Sequence, residues 1–124
     1  MNINEQNHKT KLTDKTKNVM YYFCIQHPDP NYYTNTMQSM SLDELNTAQK
    51  CIESIINKQQ NSRSYYNYMG GKEYNYPTEL STMGTDELRY FVKDIIKVRV
   101  AKKYNLKNPD LQEYKHISCS CCHN

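Results

Sequence analysis

The stretch Val19-Met-Tyr-Tyr-Phe-Cys-Ile25, closed by Gln26-His-Pro28-Asp-Pro30, decides the fold class, because it stands ahead of the first unmistakable helix. Its aromatic and β-branched side chains suit a pleated, half-buried surface, and the prolines that follow end the run abruptly. On that composition it is predicted as a strand. The alternative is a short helix with Val19, Met20, Phe23 and Cys24 on one face, which would make the fold mainly α.

Downstream the signals are clearer. Ser41 stands at an N-cap position with Glu44 three residues on, the capping-box spacing in which each side chain answers the other's free amide. Leu45, Ala48, Ile52, Ile55 and Ile56 then recur at intervals of three and four, predicting an amphipathic helix from about 42 to 58. Cys51 sits beside this stripe and reads as helix packing.

Sliding the chain by 43 positions lays Met40-Ser-Leu-Asp43-Glu44-Leu45 on Met83-Gly-Thr-Asp86-Glu87-Leu88. The same offset sets Tyr22 on Tyr65, Tyr33 on Tyr76, Met37 on Leu80, Lys50 on Lys93 and Ile52 on Ile95. The pattern is that of an internal repeat with units 21–63 and 64–106. In the second unit, Tyr65, Tyr66, Tyr68, Tyr74 and Tyr76 flank Gly70-Gly71, a pair that can take the positive φ of a hairpin turn. Gly84 or Thr85 caps a second helix, with Asp86 and Glu87 at its positive end and Leu88, Phe91, Val92, Ile95, Ile96 and Val98 as its buried stripe. It runs to about Tyr104, before Asn108-Pro109. The expected architecture is therefore α+β, two strand-strand-helix units packed as one domain from 13 to 107. A disordered basic arm (1–12) precedes it and a Cys/His-rich tail (108–124) follows.

With 124 residues and no Trp, the chain holds material for one modest core, and 12 of its apolar residues are tyrosines whose hydroxyls need water or a partner. No apolar run reaches the length of a membrane span. The polar N-terminus lacks the order of a secretory signal, so the expected compartment is intracellular and reducing, with the five cysteines as thiols or ligands. Asn, Lys, Tyr and Ile are abundant at the expense of Gly, Ala and Arg. This is the bias of an AT-rich genome, and it raises the expectation of a viral origin.

The formal charge of +3 is unevenly spread: residues 85–107 carry +4 and residues 21–84 carry −2. Arg89, Lys93 and Lys97 recur at four along the second helix, and Arg99, Lys102 and Lys103 extend the row. With the tyrosines they would suit a nucleic acid, phosphates on the cations and bases on the rings. Cys24-x-x-His27 and Cys119-x-x-Cys122 have the spacing of a Cys₃His zinc site that would tie the tail to the first element, and zinc is the one cofactor the pattern allows. The carboxylate pairs Asp43-Glu44 and Asp86-Glu87 are explained by helix N-termini, and no nucleophile, phosphate loop or dinucleotide motif is present. The expected function is therefore a small non-catalytic protein that works by protein–protein association, expected to form a homo-oligomer, with the five tyrosines as its contact surface. Nucleic-acid binding and a zinc-stabilised module are the alternatives.

Overall fold

The Ser41 capping box forms as its spacing requires. The Ser41 N–H donates to Glu44 Oε1 at 2.9 Å and the Glu44 N–H to Ser41 Oγ at 3.1 Å. In this computed structural model, which describes residues 9–25, 28–60 and 73–107, the helix so started is the third of four α-helices. They are α1 (Asp14–Ile25), α2 (Pro30–Gln38), α3 (Leu42–Gln60) and α4 (Thr85–Lys103), with a 3₁₀ turn at Thr78–Thr82 leading into α4. Helix accounts for 75% of the described residues, and no strand occurs among them. The fold is mainly α, which corrects the α+β expectation of strand-strand-helix units.

The correction has a local cause in each place. Thr16, Val19, Met20 and Phe23 are the buried residues of α1, at the i, i+3, i+4, i+7 spacing of one helical face, and this periodicity outweighs the strand preference of the aromatics. The start of α1 lies upstream, where Thr13 Oγ1 accepts the Thr16 N–H at 3.2 Å as an N-cap. The stretch between Ile25 and Ser41, where a second strand of the first unit would have to lie, is occupied instead by α2. Asp29 caps that helix by accepting the Asn31 N–H at 3.0 Å, and Pro30 takes the first helical position, where its missing N–H costs nothing. An Asp-Pro pair can stop one element and begin the next, and here it begins one. The described part of the second unit has neither helix nor strand over 73–77 and holds a single isolated parallel bridge there, between Thr10 and Tyr74. Thr10 donates to the Glu73 carbonyl at 2.8 Å and accepts from Asn75 at 3.0 Å, and Leu12 is buried, so these residues of the expected arm lie against the folded body. The Gly70-Gly71 turn and the segments 1–8 and 108–124 lie outside the described residues.

The dominant packing is α3 against α4, antiparallel. Gln59, near the end of α3, donates to the Met83 carbonyl at 2.7 Å, while Arg99, near the end of α4, reaches back to Gln49. The two helices share length and register, each bound being displaced by the 43 positions of the sequence offset. Leu45, Ala48, Ile52 and Ile55 are buried on α3, as Leu88, Phe91, Ile95 and Val98 are on α4. The offset also pairs Met37 with Leu80 and Met40 with Met83, all buried, although α2 and the 3₁₀ turn differ in backbone form. Helices α1 and α2 close the core through rings: Phe23 stacks on Phe91 with centroids 4.1 Å apart, and Tyr33 lies against both. The Tyr33 hydroxyl donates to Asp94 Oδ2 at 3.3 Å, which gives this carboxylate, inside the core at 0% exposure, one of its partners.

The end of α4 is set by Asn105, not by the later Pro109. Asn105 adopts a left-handed φ of 54°, and the Leu106 N–H returns to the Ala101 carbonyl at 2.8 Å in a Schellman closure. At the same end of the α3/α4 pair, where α3 begins beside the last turn of α4, Glu44 joins two helix N-termini. Its Oε2 accepts the Thr13 hydroxyl at 2.6 Å while Oε1 holds Ser41, and these bonds keep its carboxyl below the ordinary 4.5.

Two predictions follow from the packing. Ile95→Ala should destabilise the protein by about 2–5 kcal/mol and its sequence neighbour Ile96→Ala by under about 1 kcal/mol, read by urea unfolding, because Ile95 is buried and Ile96 is 40% exposed. Glu44→Ala should cost about 1–2 kcal/mol at neutral pH. Since the folded carboxyl titrates below its unfolded value, this stability is present above about pH 4.5 and fades as pH falls, so the variant should show a shallower loss in acid than the wild type.

Candidate interaction surface on the α3/α4 seam

Helical periodicity places one stripe of each long helix beside the buried seam and leaves it facing outward. On α4 the stripe is Arg89, Lys93, Ile96, Val100 and Lys103; on α3 it is Leu42, Asn46, Glu53 and Gln60, with Ile56, buried at 8% exposure as its place in the apolar stripe predicts, beneath them. Between them runs a groove in two sections. The first, about 540 Å³, is lined by Leu42, Asp43 and Asn46 from α3 and by Ile96, Arg99, Val100 and Lys103 from α4, with Tyr104 at its mouth. The second, about 460 Å³, lies farther along, among Glu53, Ile56, Asn57, Gln60, Arg89, Val92 and Lys93. Arg99 Nη1 donates to Gln49 Oε1 between the two sections, and Gln49 Nε2 donates to Glu53 Oε2 at 3.2 Å. The guanidinium is thus held across the seam.

The first section exposes apolar surface. Leu42 is 45% exposed, Ile96 40%, Val100 43% and Tyr104 62%, and all four line it. Single exposed apolar residues are ordinary; four converging on one concavity are the mark of a contact surface. Sequence periodicity placed Ile96 in the buried stripe and passed over Leu42, Val100 and Tyr104. The signal was available: an apolar set running 88, 91, 92, 95, 96, 98 and 100 is wider than one seam can cover.

Of the six expected basic residues, four border this groove and two do not. Arg89 also pairs with Asp86 at 3.6 Å, both being well exposed, and Lys93 lies over the Tyr90 ring at 5.0 Å. Arg99 is committed to Gln49, and Lys103 lies over Tyr104 at 5.6 Å. Lys97 is half-buried, and Lys102 lines a separate concavity of about 420 Å³ with Gln38, Val98, Ala101 and Leu106. The cations therefore form a wall along the seam and do not make one continuous patch.

No family model, curated protein or solved structure matches this chain. Its chemistry rests on its own residues.

The expected tyrosine surface divides as well. Tyr74 is 7% exposed and belongs to the core, and Tyr76 is half-buried against it; burial pushes both phenols up. Tyr65, Tyr66 and Tyr68 lie outside the described residues. A different aromatic group is exposed on α1 and α2, where Tyr22 and Tyr32 meet edge to face at 4.4 Å with hydroxyls 3.0 Å apart, beside Tyr21. Of the expected zinc ligands, Cys24 lies half-buried on α1, its thiol pushed up to about 12 by burial and by Glu79 and Glu87. His27, Cys119 and Cys122 lie outside the described residues. Among the described residues no group of three or more His, Cys, Asp or Glu side chains is gathered. Cys51 is fully buried in α3, and burial likewise pushes its thiol to about 12. Both are neutral thiols at physiological pH, which gives them little nucleophilic character. No described helix is long and apolar enough to cross a membrane.

Proposed function

We infer that this chain is a non-catalytic interaction protein whose contact surface is the outer seam of α3 and α4. The observation that carries this reading is the convergence of Leu42, Ile96, Val100 and Tyr104 on one groove, each 40% exposed or more and edged by Arg99 and Lys103. Concave apolar surface with a polar rim is the anatomy of a protein interface. The floor stands on two helices that pack the main core, so it is rigid and little ordering entropy is lost on binding. The surface thus moves from the expected tyrosine hairpin to the helical seam.

Nucleic-acid binding is the second reading, supported by Arg89, Lys93, Arg99 and Lys103 along one groove. Tyr104 is the one ring among the residues lining this groove and the rest of its apolar lining is branched aliphatic, which offers little for successive bases to stack on and places this reading behind the first.

The double substitution Ile96→Asp/Val100→Asp changes two exposed positions and should leave the helical circular dichroism signal intact. It should weaken partner association, or self-association by sedimentation, at least tenfold, the order expected for central apolar anchors. Association unaltered by this variant would overturn the reading. Duplex or single-stranded DNA bound tightly at about 50 mM salt, and released steeply by 200 mM, would put the second reading first.

A further inference from the structure

We propose that the seam receives an acidic amphipathic helix of a partner protein, about four turns long. This rests on the reading of the seam as a contact surface and adds the chemistry of what fills it. Shape is the first argument. From Arg89 to Lys103 the α4 wall is continuous helix, and 14 residues of rise give a groove of about 21 Å. Two concavities that follow one another between the two helices, on either side of the Arg99–Gln49 contact and lined on their apolar side by Ile56, Val92, Ile96 and Val100, fit the apolar stripe of a third helix better than an extended strand, which needs a sheet edge.

Charge is the second argument, and it selects the partner. The two walls differ: α4 supplies Arg89, Lys93, Arg99 and Lys103, while α3 supplies mainly amides, with Asp43 and Glu53 as its acids. The cations are spaced at four, six and four along one helix, so they repeat roughly once per turn or two over the whole length of the groove. A helix with its apolar stripe on the floor and Asp or Glu along one flank would set a carboxylate beside each of them. The Gln49 carboxamide fixes Arg99 in place beforehand, so one of these pairs forms on a side chain already ordered. A second copy of this chain would need to present an acidic stripe, whereas its own seam would bring a like-charged cationic wall.

The test uses the full-length, reduced chain and three fluorescent peptides of about 18 residues. All share one composition of Leu and Ala; one carries Glu beside a Leu stripe at i, i+3, i+4 and i+7, one carries Lys there, and one is the Glu peptide scrambled. The Glu-flanked peptide should bind at least tenfold more tightly than either of the others. Val100→Asp should weaken it at least tenfold, and Lys93→Glu/Lys103→Glu should shift preference to the Lys peptide. Equal binding of the Glu and Lys peptides, lost in Val100→Asp, would overturn the acidic partner while upholding the seam as a contact surface. No peptide binding, with self-association that Val100→Asp abolishes, would overturn the partner helix in favour of a second copy. Neither peptide binding nor association sensitive to Val100→Asp would overturn both readings together.

Discussion

The antiparallel packing of α3 on α4 is the contact on which the rest of this structure depends. It is made by eight or so aliphatic and aromatic residues, among them Leu45, Ile52, Leu88, Phe91 and Ile95, all fully buried. At about 1.5–3 kcal/mol for each large apolar side chain removed from water, this seam supplies a major part of the driving force for so small a chain. The outer groove exists because the inner seam does. When residues 45, 48, 52, 55 and 56 meet 88, 91, 95 and 98, the helical repeat turns 42, 46 and 53 outward on the side of 89, 93, 96 and 100.

The other elements are fitted to this pair by polar as well as apolar means. Helix α1 lays Phe23 on Phe91, and α2 adds Tyr33, whose hydroxyl reaches the buried Asp94. A carboxyl group inside an apolar core is costly to bury without partners, and the Tyr33 hydroxyl that α2 brings to it is one of them. Glu44 acts in the same sense at the surface, holding Ser41 at the start of its own helix and Thr13 at the start of α1. The helix starts are thus locked to one another, and Lys15, whose ammonium donates to the Ser39 carbonyl at 3.1 Å, adds a further tie.

How much of this could be read from the sequence follows from which signals are local. Both long helices are legible, because the Ser41–Glu44 capping box, the acidic first turn of α4 and the apolar period are encoded within a few residues; of the two caps the sequence allows for α4, the structure selects Gly84, whose N–H donates to the Glu87 carboxylate at 3.1 Å. Their common register was legible in the 43-residue offset. The strand expected over 19–25 does not form, since aromatic and β-branched residues favour strands only where a sheet surrounds them, and here a helical core does. Pro28-Asp-Pro30 was read as a break, although Asp followed by Pro is also the start of a helix. The exposed apolar residues were the least legible. Nothing in the local pattern tells Ile95 from Ile96; only the direction of the partner helix does.

What emerges is a helical hairpin whose inner side holds the fold together and whose outer side is left apolar and edged with cations. Amide hydrogen exchange on the full chain, resolved residue by residue, tests this arrangement most directly, since it reads which segments open last. The slowest amides should be those of 45–55 and 88–98, exchanging only by global unfolding, while α2 opens more readily. Protection in 45–55 and 88–98 no greater than in Pro30–Gln38 would contradict it.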